Sequence, residues 1–149
     1  MADIKVNVFM ISRSFKALQQ SAYAPIRKST GLGQMELQII FTVFHFPVPA
    51  TISGIHRHTY FNKGQISVCV SNLLKGGFLK KVPNGNSCFD AFELTEKGVE
   101  TAKRIAKNTA RGRKKLLKGF TDEEATSLTN YLERIMKNAE KYNGKIKFD

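Results

Sequence analysis

NKGQISVCVSNLLKGGFLKK, residues 62–81, decides how the rest of the chain is read. Projected as a helix, it gathers Ile66, Cys69, Val70, Leu73 and Leu74 into one apolar arc. Gln65, Ser67, Val68, Ser71, Asn72 and Lys75 fall on the opposite arc. Few of these are strong helix formers, and the outer arc holds no acidic residue. A face made only for water would mix glutamate with lysine. This one suits a partner rich in hydrogen-bonding edges and negative charge. Asn62 is placed to cap the helix and Gly76-Gly77 to stop it.

The composition agrees. The chain has 149 residues, long enough for one domain with an oligomerisation arm, and 24 Lys and Arg against 12 Asp and Glu leave a formal charge of +12. Such an excess attracts nucleic acid, a ribosome or an anionic membrane surface. The N-terminus breaks its apolar residues with Asp3, Lys5, Asn7, Ser12 and Arg13, so no secretory signal is expected and the mature chain should begin near Met1. The most apolar stretch, residues 37–52, contains Pro47, Pro49 and His45 and is too short to span a bilayer. A soluble cytoplasmic protein is expected, with no membrane partner and with Cys69 and Cys88 as reduced thiols.

Working outward, GQMELQIIFTVFHF forms a helix that stops at Pro47 and Pro49, and residues 51–58 form a short one. On the other side, FLKKV and SCFDAFEL read as strands around Pro83-Asn-Gly-Asn86, a hairpin with Asn-Gly at its turn. Thr95 then caps a long helix to about residue 118, in which Lys103 to Lys118 carries basic residues and no acid. At the N-terminus Ile4, Val8, Ile11, Phe15, Leu18 and Ala22 follow a heptad seam, which Pro25 should kink or end. At the C-terminus Leu128, Leu132, Ile135 and Ala139 repeat the step after a capping box at Thr121-Asp-Glu-Glu124. Each seam suits packing on its own domain or against a second subunit.

Two helices, a glycine-bounded helix and a basic hairpin, in that order, give a mainly α protein with a small β wing, a winged helix-turn-helix. GLGQMELQIIFTVF, QISVCVSNLLKGGFLKK, FELTEKG and FTDEEATSLTNYLERI together resemble the multiple-antibiotic-resistance regulator (MarR) family of transcription factors over nearly the whole chain. The resemblance implies a homodimer held by N- and C-terminal dimerisation helices, each subunit placing a winged domain on half of a palindromic operator. It implies residues 1–30 as a dimerisation helix, 31–98 as the DNA-binding domain and 99–149 as the rest of the dimerisation region. It favours the intersubunit role for Ile4, Val8, Ile11, Phe15, Leu18, Leu128, Leu132, Ile135 and Ala139. It also implies a repressor that a small-molecule effector could release from DNA. One departure concerns the wing tip, where the family carries Asp-x-Arg and this chain has Asn86, Ser87 and Cys88.

In a major groove, Gln65 and Asn72 can each pair with an adenine edge, and Val68 can meet a thymine methyl. Ser67 and Ser71 serve bases or phosphates, while Asn62, Lys63, Lys75, Lys80 and Lys81, with Asn84, Asn86 and Ser87 of the wing, complete the expected DNA contacts. Residues 62–95 contain no arginine, the commonest guanine reader, so an A·T-rich half-site is expected. The rival reading is a basic winged-helix protein that binds DNA architecturally, or RNA or the ribosome, without operator specificity. His45, His56 and His58 lack metal-site spacing, no catalytic motif is present, and neither cofactor nor enzymatic activity is expected.

Overall fold

The computed structural model describes residues 8–46, 49–85 and 87–142. They fall into two compact units, one up to Gly112 and one from Arg113 onward. The first unit contains α1 (Val8–Thr30), α2 (Gln34–Phe44), α3 (Ile52–Arg57), α4 (Lys63–Lys75), β1 (Leu79–Val82), β2 (Ala91–Leu94) and most of α5 (Glu96–Leu116). Its core is built by Tyr23 and Ile26 of α1, Leu37, Ile39, Ile40 and Val43 of α2, Ile55 of α3, and Ile66, Val70 and Leu73 of α4. Phe78, Leu79 and Phe92 of the hairpin and Ala102 and Ile105 of α5 close it. The apolar arc of residues 62–81 is thus the face that packs.

Local chemistry sets the ends of these helices. Thr51 accepts the Gly54 amide at 3.0 Å and starts α3. Asn62 accepts the Gln65 amide at 2.9 Å while Gln65 Oε1 accepts the Asn62 amide at 3.1 Å, a reciprocal cap on α4. α4 ends with Gly77 at φ 71°, the Phe78 amide donating to Leu73 O and the Gly77 amide to Leu74 O. This is a Schellman stop, and it needs a residue that tolerates left-handed backbone. The hairpin is then tied back to α4: Thr95 Oγ1 donates to Gly77 O at 2.6 Å and Lys97 Nζ to Gly76 O at 2.9 Å.

β1 and β2 pair antiparallel, with Leu79 opposite Leu94 and Val82 opposite Ala91. Ala50 adds an isolated bridge to Phe92. The connection therefore spans residues 83–90, longer than the expected turn at residues 83–86, and Ser87 to Asp90 lie outside the strand expected for them. The loop satisfies itself instead: Asn84 Nδ2 donates to Phe89 O at 3.0 Å, and the Phe89 amide donates to Ser87 Oγ at 3.2 Å.

Two helix ends also differ from expectation. α2 stops at Phe44, two residues early, where His45 Nδ1 donates to Phe41 O at 2.8 Å. α1 continues through Pro25 to Thr30. A proline removes one backbone hydrogen bond, but Tyr23 and Ile26, either side of it, are buried and hold both halves in the core.

α1 and α5 run antiparallel, as three contacts along them show. Arg104 Nη2 donates to Ser29 Oγ at 2.8 Å, Asn108 Nδ2 donates to Ala22 O at 2.9 Å, and a Cβ at Gly112 would come within 3.1 Å of Leu18. The N-terminal seam is consequently divided. Leu18 and Ala22 pack within the unit, whereas Ile11 and Phe15 are exposed by 42% and 49%. Ile4 and the side chain of Val8 lie outside the described residues. The second unit contains α6 (Asp122–Tyr142), opened by the expected box: Thr121 Oγ1 accepts the Glu124 amide and Glu124 Oε2 accepts the Thr121 amide. Leu128 is half-buried, Ala139 is exposed, Leu132 is exposed by 40%, and Ile135 and Met136 by 62% each. None of the described helices is long and apolar enough to cross a membrane.

Candidate nucleic-acid interface

Packing one side of α4 into the core leaves the other outward. Lys63, Gln65, Ser67, Asn72 and Lys75 are exposed, Ser71 is half-buried, and Val68 is 62% exposed. An exposed valine in the middle of a polar face gains nothing from water, and it is the residue on this face suited to an apolar spot such as a methyl group.

Several of the expected contact groups already have intramolecular partners. Gln65 spends one lone pair of Oε1 on the cap, leaving its amine and the second lone pair for other partners. Asn72 Nδ2 donates to Glu36 Oε1 at 3.0 Å. Lys80 lies 3.8 Å from Glu93 across the strands, and Lys81 Nζ lies 2.8 Å from Asp90. These wing pairs are well exposed, so each is worth at most about 1 kcal/mol and is readily exchanged for a phosphate. Asn84 and Ser87 hold the wing loop together, and Asn86 lies outside the described residues. Glu36 is not legible as a neighbour of this face in the sequence, because an acid on α2 has no visible relation to α4 until the helices pack.

Phe89 projects from the wing loop at 71% exposure, and Tyr60, just before α4, is fully exposed. The three histidines serve the backbone: Nδ1 of His45, His56 and His58 donates to Phe41 O, Phe61 O and Gly54 O. Both cysteines are free thiols, Cys69 buried and Cys88 exposed. Burial pushes the Cys69 thiol above its ordinary pKa, and the nearby Glu36 charge adds to the rise.

A second feature lies between the end of α2 and α3. A cleft of about 760 Å³ is lined by Phe41, His45, Phe46, Pro49, Arg57 and His58, among others. Phe41 and His45 meet edge-to-face at 4.5 Å, and Phe46 and His58 at 5.0 Å. Aromatic walls with one guanidinium suit a flat apolar ligand that carries an anionic group.

No protein-family model matches the chain, and no curated protein matches its sequence. Solved structures do match its fold. A MarR-family transcriptional regulator from Listeria monocytogenes, solved with a 26-mer DNA, superposes with a TM-score of 0.82 at 21% identity, covering 98% of this chain and 99% of that one. A MarR protein from Peptoclostridium difficile gives 0.80 at 19% identity over 99% and 96%. An organohalide-sensing transcriptional regulator with bound 2,4-dichlorophenol gives 0.65 at 18% identity over 93% and 88%. The described residues have the winged helix-turn-helix fold seen in the MarR-family transcriptional regulators.

Proposed function

We propose that the chain is a sequence-specific DNA-binding transcriptional regulator, a repressor that binds a palindromic, A·T-rich operator as a homodimer. The observation that carries this reading is the outer face of α4: a doubly capped helix exposes Gln65, Ser67, Val68 and Asn72 between Lys63 and Lys75, with no acid of its own. Amides and an apolar methyl group discriminate base edges, which a backbone binder would not require. The Listeria regulator of like fold was solved with a 26-mer DNA, which supports DNA as the partner. Exposed Ile11 and Phe15 on α1, and Leu132 and Ile135 on α6, supply apolar surface for a second copy. Residues 31–98 carry the DNA contacts in this reading, with the terminal helices serving dimerisation.

The test is titration of the purified protein against its own upstream intergenic DNA and an equal-length random duplex, at two salt concentrations. A preference for the upstream fragment that persists at the higher salt, with two subunits per site, is expected. Asn72→Ala should weaken the specific complex by about 1–3 kcal/mol and leave random DNA unaffected, while Lys63→Ala should weaken both and reduce the salt slope by about one. Equal binding that vanishes with salt would favour the architectural or RNA-binding alternative.

The cleft beside α3 is the proposed effector site. Benzoate-type anions should raise the melting temperature of the wild type and reduce operator binding, and Arg57→Ala should abolish both effects. If Arg57→Ala responds as the wild type does, the effector acts elsewhere.

A further inference from the structure

Asn72 stands in the last turn of α4 with its side chain exposed, and its amine is committed to Glu36 Oε1 at 3.0 Å. The other carboxylate oxygen of Glu36 accepts the Gly33 amide at 2.7 Å. Glu36 is therefore fixed at both oxygens, one on the N-terminus of its own helix and one on the outer face of the next. It also places a negative charge beside a face whose other charged residues, Lys63 and Lys75, are positive. For a surface that binds a polyanion this charge costs affinity, so its contribution must come from geometry.

A carboxylate can only accept hydrogen bonds, whereas a carboxamide has a donating and an accepting side. Facing Glu36, the side chain of Asn72 has to turn Nδ2 inward, which leaves Oδ1 as the atom on its open side. An asparagine without such a neighbour rotates freely and serves donors and acceptors alike. In the major groove only the adenine N6 and cytosine N4 amines donate, while guanine O6 and thymine O4 accept and would oppose Oδ1.

We propose that Glu36 is a positioning residue that locks Asn72 with its carbonyl oxygen toward the DNA, so that the base it meets is adenine or cytosine and not guanine or thymine. Adenine is preferred of the two, because its N7 can take the second amide hydrogen of Asn72. The inference rests on α4 entering the major groove.

Glu36→Gln supplies the test, because it changes which side of residue 36 donates. The Gly33 amide still requires an oxygen opposite it, so the substituted carboxamide turns its oxygen to Gly33 and its amine to Asn72. Asn72 must then reverse, offering Nδ2 to the DNA. The experiment is competition binding of the wild type, Glu36→Gln and Asn72→Ala to a duplex set carrying each of the four bases at every half-site position. The wild type should prefer adenine or cytosine at one position by about 5- to 150-fold, and Asn72→Ala should lose the preference there alone. Glu36→Gln should reverse that preference toward guanine and thymine, on top of a general gain in affinity from the lost charge. A merely structural contact would change affinity equally for every base. If Glu36→Gln keeps the wild-type base profile at the position that Asn72→Ala erases, the positioning role is overturned and the operator reading survives. If the wild type discriminates at no position, the operator reading itself fails.

Discussion

Phe15→Asp is expected to break the proposed dimer into monomers and to lower affinity for the proposed operator by about 10²- to 10⁴-fold. Phe15 is 49% exposed and Ile11, one helical turn before it, 42%, while Leu18 one turn later already packs against Gly112. The outward part of α1 is thus an apolar patch that folding of one chain leaves uncovered. In a two-fold dimer each such patch meets its own copy, so one substitution places two carboxylates in the interface. Burying them unpaired would cost several kcal/mol, and dissociation avoids that cost. A monomer then binds one half-site and loses the effective concentration by which the second module follows the first. Because Phe15 is not part of the core, the melting temperature at high dilution should be nearly unchanged. Sedimentation equilibrium checks the first effect and operator titration the second. A variant that stays dimeric would show that α1 is not the seam.

Gly98→Ala is expected to destabilise the winged domain by about 3 kcal/mol, seen as a lower urea midpoint with the slope unchanged. Judged by helix propensity alone the sign would be the reverse, since replacing a helical glycine by alanine favours the helix by about 1 kcal/mol. Packing decides otherwise. A Cβ at Gly98 would collide with the carbonyl oxygen of Phe78 and come within 3.0 Å of Leu94 Cδ2. The Phe78 oxygen belongs to the hairpin and already accepts the Thr95 amide, so it cannot retreat without breaking that bond. Moving α5 instead would disturb Ala102 and Ile105, which are fully buried. A rise in stability would mean that α5 does not approach the hairpin so closely.

What the sequence determined by itself was the set of features whose causes are local. The caps at Asn62, Thr95 and Thr121, the Gly76-Gly77 stop and the apolar arc of α4 each depend on residues within about one turn, and all are where the spacing places them. The order of helices and hairpin followed from these, and with it the winged fold. The tertiary structure alone decided what depends on residues far apart in the chain. Pro25 interrupts a helix locally, but buried Tyr23 and Ile26 carry α1 past it. The Asn-Gly pair favours a tight turn, but pairing of Val82 with Ala91 fixes a longer loop, residues 83–90, between the strands. The heptad seam gives no sign of where domain packing stops and exposed surface begins, because that boundary is drawn by Gly112 on α5. Nor could the outer face of α4 be fully read from α4: Asn72 lies 36 residues from Glu36, and only the packing of α2 on α4 brings an acceptor to its amide and so fixes which of its atoms is left free.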